Sequence, residues 1–230
     1  MILISKTTNS LIHIYYCYLS EENHEDLLRI YLPRFDEHYQ DKIRKYRRWQ
    51  DAQLSILGRI LLFYGIEEVF KINGYAKTIK HTEFDKPYFE ENSVHFNISH
   101  SGEIVICAIS DVCEIGIDIE IFSSITFDDF KFQMSQNEWQ KLELSADKTA
   151  YFFEYWTQKE AVIKAHGHGL SIPLKSFEII NNNTKISNEN YYLKEITVDE
   201  KYKCYIALKQ NTNEICLIKK MIKTHNLIKE

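Results

Sequence analysis

Ile115-Gly116-Ile117-Asp118-Ile119-Glu120-Ile121 is the stretch on which the fold turns. Side chains alternate along a strand, so four isoleucines share one face while Gly116, Asp118 and Glu120 share the other. The isoleucine face must be core. The opposite face carries two carboxylates roughly 6–7 Å apart, beside a glycine that lets something approach the backbone. Oxygens at that spacing suit a hard cation such as Mg2+, which takes one or two carboxylates together with water and phosphate oxygens. An ordinary solvated strand face reads the same way.

Working outward, residues 94–109 read as two strands around Ser99-His100-Ser101-Gly102, a turn-forming cluster. Ile12, Ile14, Tyr16 and Tyr18 alternate as a half-buried strand does. A short helix is expected over 21–32, ended by Pro33, and a longer one over 40–64, stopped by Gly65. Lys86-Pro87 marks a turn. Helix is expected within 126–144 and again over 149–166, closed by Gly167 and Gly169. Residues 177–180, 191–198, 202–208 and 215–218 read as a β-meander with an Asn181-Asn182-Asn183 turn. The order strand, helix, helix, strands occurs twice. The expected class is therefore α+β, with two α/β halves (1–112 and 113–230) and a ligand groove between them.

The composition fits a packed globular chain: 230 residues, 44% hydrophobic, 27% charged, with 7 Gly and 3 Pro. That excludes disordered, collagen-like and low-complexity classes. A net charge of −5 excludes a nucleic-acid clamp working by bulk electrostatics. Five cysteines without a C-x-x-C pattern fit neither a closed disulfide framework nor a Cys-rich zinc module, so a reducing, cytoplasmic setting is expected. Residues 1–20 read as a strand, not a signal peptide. No run reaches the ~20 apolar residues that span a bilayer.

Three further patterns carry chemistry. In Trp156-Thr157-Gln158-Lys159-Glu160-Ala161-Val162-Ile163-Lys164, Glu160 and Lys164 fall at the edge of an apolar helix stripe. They form either an i,i+4 pair contributing ~0.2–0.5 kcal/mol, or a poorly hydrated carboxylate that seeks a cation or acts as a base. The Ser99–His100 cluster is either a plain polar turn or an anion cradle; adjacent residues in one hairpin seldom reach triad geometry, and no G-x-S-x-G elbow is present. Lys42, Arg44, Lys45, Arg47 and Arg48 put five positive charges in seven residues. Such a run is a solvated helix face, or a site for RNA or a phosphate-rich ligand. There is no P-loop. Taken together, these residues describe a metal-plus-cation site for a polyphosphate.

Asn97-Ile98-Ser99-His100-Ser101-Gly102, Gly116-Ile117-Asp118-Ile119-Glu120 and Trp156-Thr157-x-Lys159-Glu160-Ala161-x-x-Lys164-Ala165-x-Gly167-x-Gly169-Leu170 resemble, in order and spacing, the Sfp-type 4′-phosphopantetheinyl transferases. Asp85-Lys86-Pro87 stands where that family has Gly-Lys-Pro, Leu54 where it often has arginine, and Ser55 where close relatives have threonine. The resemblance implies a pseudo-twofold fold with coenzyme A in the cleft between the halves. It implies Mg2+ held by Asp118, Glu120 and Glu160, with Lys164 and His100 on phosphate oxygens and Ser99 beside them. Lys86, Pro87, Lys42, Arg44 and Lys45 would lie by the 3′-phosphoadenosine end. Glu160 would be the base, with Lys164 and His100 as its catalytic companions.

The implied partner is an apo acyl or peptidyl carrier protein of fatty-acid, polyketide or nonribosomal-peptide synthesis. Residues 122–132, with Ile125, Phe127, Phe130 and Phe132, are either its docking segment or core. No nucleic-acid or membrane partner is expected, and two fused halves make a monomer self-sufficient. A non-catalytic module of the same fold, binding coenzyme A or a carrier, is the alternative. An RNA-binding protein using the Lys42–Trp49 patch is a more distant one.

Overall fold

A computed structural model describes residues 10–76, 78–90, 94–211 and 215–228; the reading of residues 1–9 lies outside them. The strands are β1 (Ser10–Tyr18), β2 (Ile79–His81), β3 (Pro87–Phe89), β4 (His95–Ser101), β5 (Ile104–Ser110), β6 (Ile115–Ile121), β7 (Asn183–Ile186), β8 (Glu189–Glu195), β9 (Tyr202–Leu208) and β10 (Ile215–Met221). The helices are α1 (His24–Tyr31), α2 (Glu37–Arg44), α3 (Trp49–Phe70), α4 (Gln136–Leu144), α5 (Lys148–His166) and α6 (Thr224–Leu227).

Two four-stranded sheets, β10-β1-β5-β4 and β6-β9-β8-β7, lie between two long helices. Period-2 alternation on β5 explains the layering. Val105, Cys107 and Ile109 face α3, while Ile104, Ile106 and Ala108 pack with Ile115, Ile117 and Ile119 of the other sheet. The isoleucine face of β6 is thus the inter-sheet core. Its opposite face is covered by α5, where Ala161, Val162 and Ala165 pack with Tyr205 and Ala207 of β9. The molecule is mixed α+β, each half a sheet backed by a helix.

Where the halves meet, β4 and β6 run side by side without sharing a backbone ladder. Side chains replace it. Asn97 Oδ1, Ser99 Oγ and Ser101 Oγ accept from the backbone N–H groups of Ile117 (2.9 Å), Ile119 (3.4 Å) and Ile121 (3.1 Å).

Several expectations need correction. Ser99, His100 and Ser101 belong to β4; the turn is at Gly102, whose φ of +55° suits glycine. The helix expected over 40–64 is two helices, broken at residues 45–48 by the extended backbone of Arg48. Gly65 does not stop α3, which continues to Phe70 and ends at Lys71 with φ 57°. Gly65 is instead a close-approach site, since a Cβ there would lie 2.4 Å from Ile109 Cδ1 and 2.6 Å from the Tyr15 ring. Residues 127–133 form 3-10 turns ahead of α4, and 177–180 contribute one isolated bridge, Ile180 to Asn183. The last strand leaves the expected meander: β10 pairs in parallel with β1, Ser10 opposite Ile215 through Tyr16 opposite Met221. A boundary at residue 112 therefore does not separate the sheets.

Candidate active site

Gly116 sets the site. A Cβ there would lie 2.1 Å from Ala161 O and 2.3 Å from Ala165 N, so only glycine lets α5 rest on β6 backbone to backbone. That contact carries Glu160 and Lys164, one turn apart on α5, to the Asp118 face of β6. Lys164 Nζ donates to Asp118 Oδ1 (2.6 Å) and to Ser99 Oγ (2.9 Å), and Ser99 Oγ donates to the same Asp118 oxygen (3.0 Å). Asp118 is only 3% exposed. Its Oδ2 is buried and finds no hydrogen-bond partner among the described residues.

The neighbouring acids share this field. Ser101 Oγ donates to Glu120 Oε2 (2.7 Å). Desolvation raises the pKa of Glu120, and Asp118 and Glu160 push it further up against Ser101 and Lys164. Burial likewise raises Glu160, opposed by Lys164 and assisted by Asp118. His100 is exposed at the end of β4, yet local desolvation and the Lys164 charge lower its pKa. Glu160 and Lys164 of α5 also line a cavity of about 270 Å³, walled besides by Lys86 and Pro87 from the first half and Asn97 and Ile98 of β4.

A family model for the 4′-phosphopantetheinyl transferase superfamily matches residues 114–214, and one for the N-terminal part of 4′-phosphopantetheinyl transferase matches residues 22–111. The chain is 34% identical over 200 residues to the 4′-phosphopantetheinyl transferase Sfp of Bacillus subtilis, an alignment covering 82% of this chain and 87% of that protein. The chain belongs to the 4′-phosphopantetheinyl transferase superfamily. It is also 36% identical over 168 residues to the gsp transferase of Aneurinibacillus migulanus, covering 70% of each. Among solved structures, the holo-[acyl-carrier-protein] synthase of Thermotoga maritima aligns over 42% of this chain and 62% of its own at 12% identity and a TM-score of 0.33, too remote to bear on the fold.

The phosphopantetheinyl transferase motifs meet around Lys164, in part lining the cleft and in part bonded behind it. Asp118, Ser99 and Lys164 are bonded together, Glu160, Lys86 and Pro87 line the cavity, and Glu120 follows on the same strand face. His100 lies within the electrostatic reach of Lys164 and of Asp51 near the start of α3. Lys42, Arg44 and Lys45 are exposed around the end of α2 and do not line that cavity; Arg44 donates to Asp41 (3.2 Å) and Gln40 (2.9 Å). Asp85 adopts φ 63°, the left-handed turn its glycine counterpart would supply. Among the described residues no three His, Cys, Asp or Glu side chains are gathered tightly enough to hold a metal as they stand. None of the described helices is long and apolar enough to cross a membrane.

Sequence reasoning missed three supports. Lys159, 0% exposed, pairs with buried Glu138 (2.6 Å) and donates to the carbonyls of Leu174 (2.9 Å) and Phe177. It ties the segment after α5, and α4, to the helix that bears Glu160. The S-x-x-E box of Ser135 and Glu138 was a readable signal for the start of α4, but nothing local pointed to its distant lysine. The acceptor role of Asn97 and Ser101 was hidden by reading their segment as a turn. Glu114, which holds Lys86, stands where the isoleucine strand begins, and nothing local points to a distant lysine.

In residues 122–132, Ile125, Phe127 and Phe130 pack on the cluster around Phe152, whereas Phe132 is 69% exposed.

Proposed function

We propose that the protein transfers the 4′-phosphopantetheine arm of coenzyme A to a serine of an apo acyl or peptidyl carrier protein, releasing 3′,5′-adenosine bisphosphate. The observation that carries this reading is the orphaned, buried Oδ2 of Asp118, whose other oxygen holds the Lys164 that lines the cleft with Glu160. Leaving a buried polar oxygen without a partner costs about 1–3 kcal/mol, more when it is charged. An acceptor-only oxygen beside two further carboxylates fits a divalent cation, and Asp118, Glu120 and Glu160 would hold Mg2+ there. The bound ion would supply Lewis-acid neutralisation of the diphosphate.

The chain's own residues do the rest. The serine oxygen bonds to the β-phosphorus, and the bond from that phosphorus to the bridging oxygen breaks, its electron pair leaving with the adenosine bisphosphate. Such transfers depend on positioning and charge neutralisation. Lys164, anchored by Asp118 and Ser99, keeps a positive charge where negative charge collects on the leaving side. His100, its pKa lowered, offers phosphate oxygens a neutral hydrogen-bonding ring. Glu160, its pKa raised, is the better base for the serine proton. Both walls of the cleft come from one chain, so a monomer suffices. Free thiols at Cys17, Cys107 and Cys204, all buried, fit a reducing cytoplasm.

Incubating a panel of apo carriers with the protein, coenzyme A and Mg2+, then weighing them by mass spectrometry, tests the proposal. One carrier at least gains the mass of the phosphopantetheine arm. Coenzyme A binding with no gain on any carrier would instead favour the non-catalytic module.

A further inference from the structure

Lys86 is already spoken for. It projects from the β2–β3 turn in the first half, and its Nζ donates to Glu114 Oε2 (2.5 Å) and to Ala165 O (3.1 Å), both in the second half. The other Glu114 oxygen meets His95 Nδ1 at 3.1 Å; because an ionised carboxylate only accepts, that nitrogen carries the proton. Burial alone would raise the Glu114 pKa, but His95 and Lys86 bring it down to about 2, so the carboxylate is firmly ionised. The lysine stem passes over Gly167, where a Cβ would lie 2.9 Å from Lys86 Cδ. The Lys86 side chain is only 13% exposed. It stands between the 270 Å³ cleft and a second cavity of about 240 Å³ lined by His95 and Glu114.

An ammonium paired with a carboxylate and a carbonyl has little charge left for a ligand phosphate. From this geometry we infer that Glu114 is a positioning residue: it holds Lys86 as a strap from one half to the other and so fixes the hairpin wall of the cleft. Lys86 on this account shapes the nucleotide end of the site without binding phosphate through its ammonium. The inference rests on the cleft being the coenzyme A site. Two roles for Lys86 predict opposite signs for one substitution. If Glu114 braces the wall, removing its charge loosens the wall and weakens coenzyme A binding; if Glu114 merely competes with phosphate for Lys86, removing it frees the ammonium and tightens binding.

Steady-state kinetics of Glu114→Gln, Lys86→Met and the double variant, with melting curves, separate the two. Glu114→Gln should raise KM for coenzyme A about tenfold with kcat little changed, the pattern of lost uniform binding. Lys86→Met should match it, and the double variant should be no worse than either single, because all three cut the same strap. An unchanged or lowered KM in Glu114→Gln, a drop in melting temperature alone, or additive losses in the double variant would overturn the strap. Should Glu114→Gln fail to fold, Lys86→Met in wild-type Glu114 background still reports through the KM and kcat split. Calorimetry of the wild-type protein with coenzyme A comes first: absence of binding sinks the reading of the cleft itself, whereas binding with normal KM in the variants sinks only the strap.

Discussion

Asp118 has one oxygen satisfied twice over and the other not at all, and the two halves of that side chain make different demands. Oδ1 pairs with Lys164 and accepts a hydrogen bond from Ser99; Oδ2 is buried without a partner among the described residues. Asp118→Asn keeps the shape and removes the charge. Carrier modification should fall about 10²–10³-fold, the usual loss when one preorganised electrostatic group is removed. Mg2+ should raise the melting temperature of the wild-type protein, through preferential binding to the folded state, and should leave that of Asp118→Asn nearly unchanged. A variant that turns over normally, or melts with the same Mg2+ response, would remove Asp118 from the metal site.

Glu114 makes the pH-dependent statement at this scale. Its pKa is ordinary, near 4.5, in the unfolded chain and about 2 in the folded one, so the unfolded state binds the proton first. The stability it contributes is complete above pH ~4.5 and is lost as pH falls toward 2. Because the carboxylate is 39% exposed, screening trims the size of the effect without changing its sign. Urea midpoints of the wild-type protein should therefore drop between pH 5 and 2 more steeply than those of Glu114→Gln. Parallel curves would show that Glu114 is no better solvated by its partners when folded.

Among the elements, the α5–β6 contact is where chain-distant residues become one site. Gly116→Ala must push α5 off the strand and should cost about 2–3 kcal/mol in urea unfolding, with transfer lost as Glu160 and Lys164 move. Gly65→Ala, wedged against Ile109 and Tyr15 under α3, should cost a similar amount and leave kcat of the folded fraction intact. The contrast between these glycines shows what sequence could and could not tell. The alternation of Ile115 to Ile121 announced a core face and a functional face, because period 2 is imposed locally. That something approaches Gly116 was legible; that it was a helix starting some thirty residues later was not. Gly65 looked like a stop since glycine weakens helices, but packing on the sheet overrode propensity. Ser99 to Ser101 looked like a turn because serine and glycine favour turns, whereas the hydroxyls serve as acceptors for a strand twenty residues on. Lys159 and Glu138 carry no local sign of their pairing.

At the scale of the whole molecule, the halves are joined more intimately than their order suggests. β10 completes the first sheet from the far end of the chain, and the Tyr31 hydroxyl donates to Leu227 O at 2.6 Å. A parallel pairing across two hundred residues leaves no local pattern, which is why residues 215–218 read as a meander strand. On the other side, the β4–β6 seam is made by side chains: three accept backbone N–H groups of β6, and Ser99 and Ser101 also donate to Asp118 and Glu120, each bond contributing about 1 kcal/mol net. Cutting the chain at residue 112 would strip β1 of its outer partner, leaving an unpaired edge, and would expose the isoleucine face of β6 to water. Neither 1–112 nor 113–230 should unfold cooperatively when expressed alone, whereas the intact protein should show a single urea transition by both fluorescence and circular dichroism. Co-expressed, the two pieces should regain carrier modification only if β10 is present in the second. A cooperative transition from 1–112 alone would mean that the first half is a domain in its own right and that the last strand is an accessory to it.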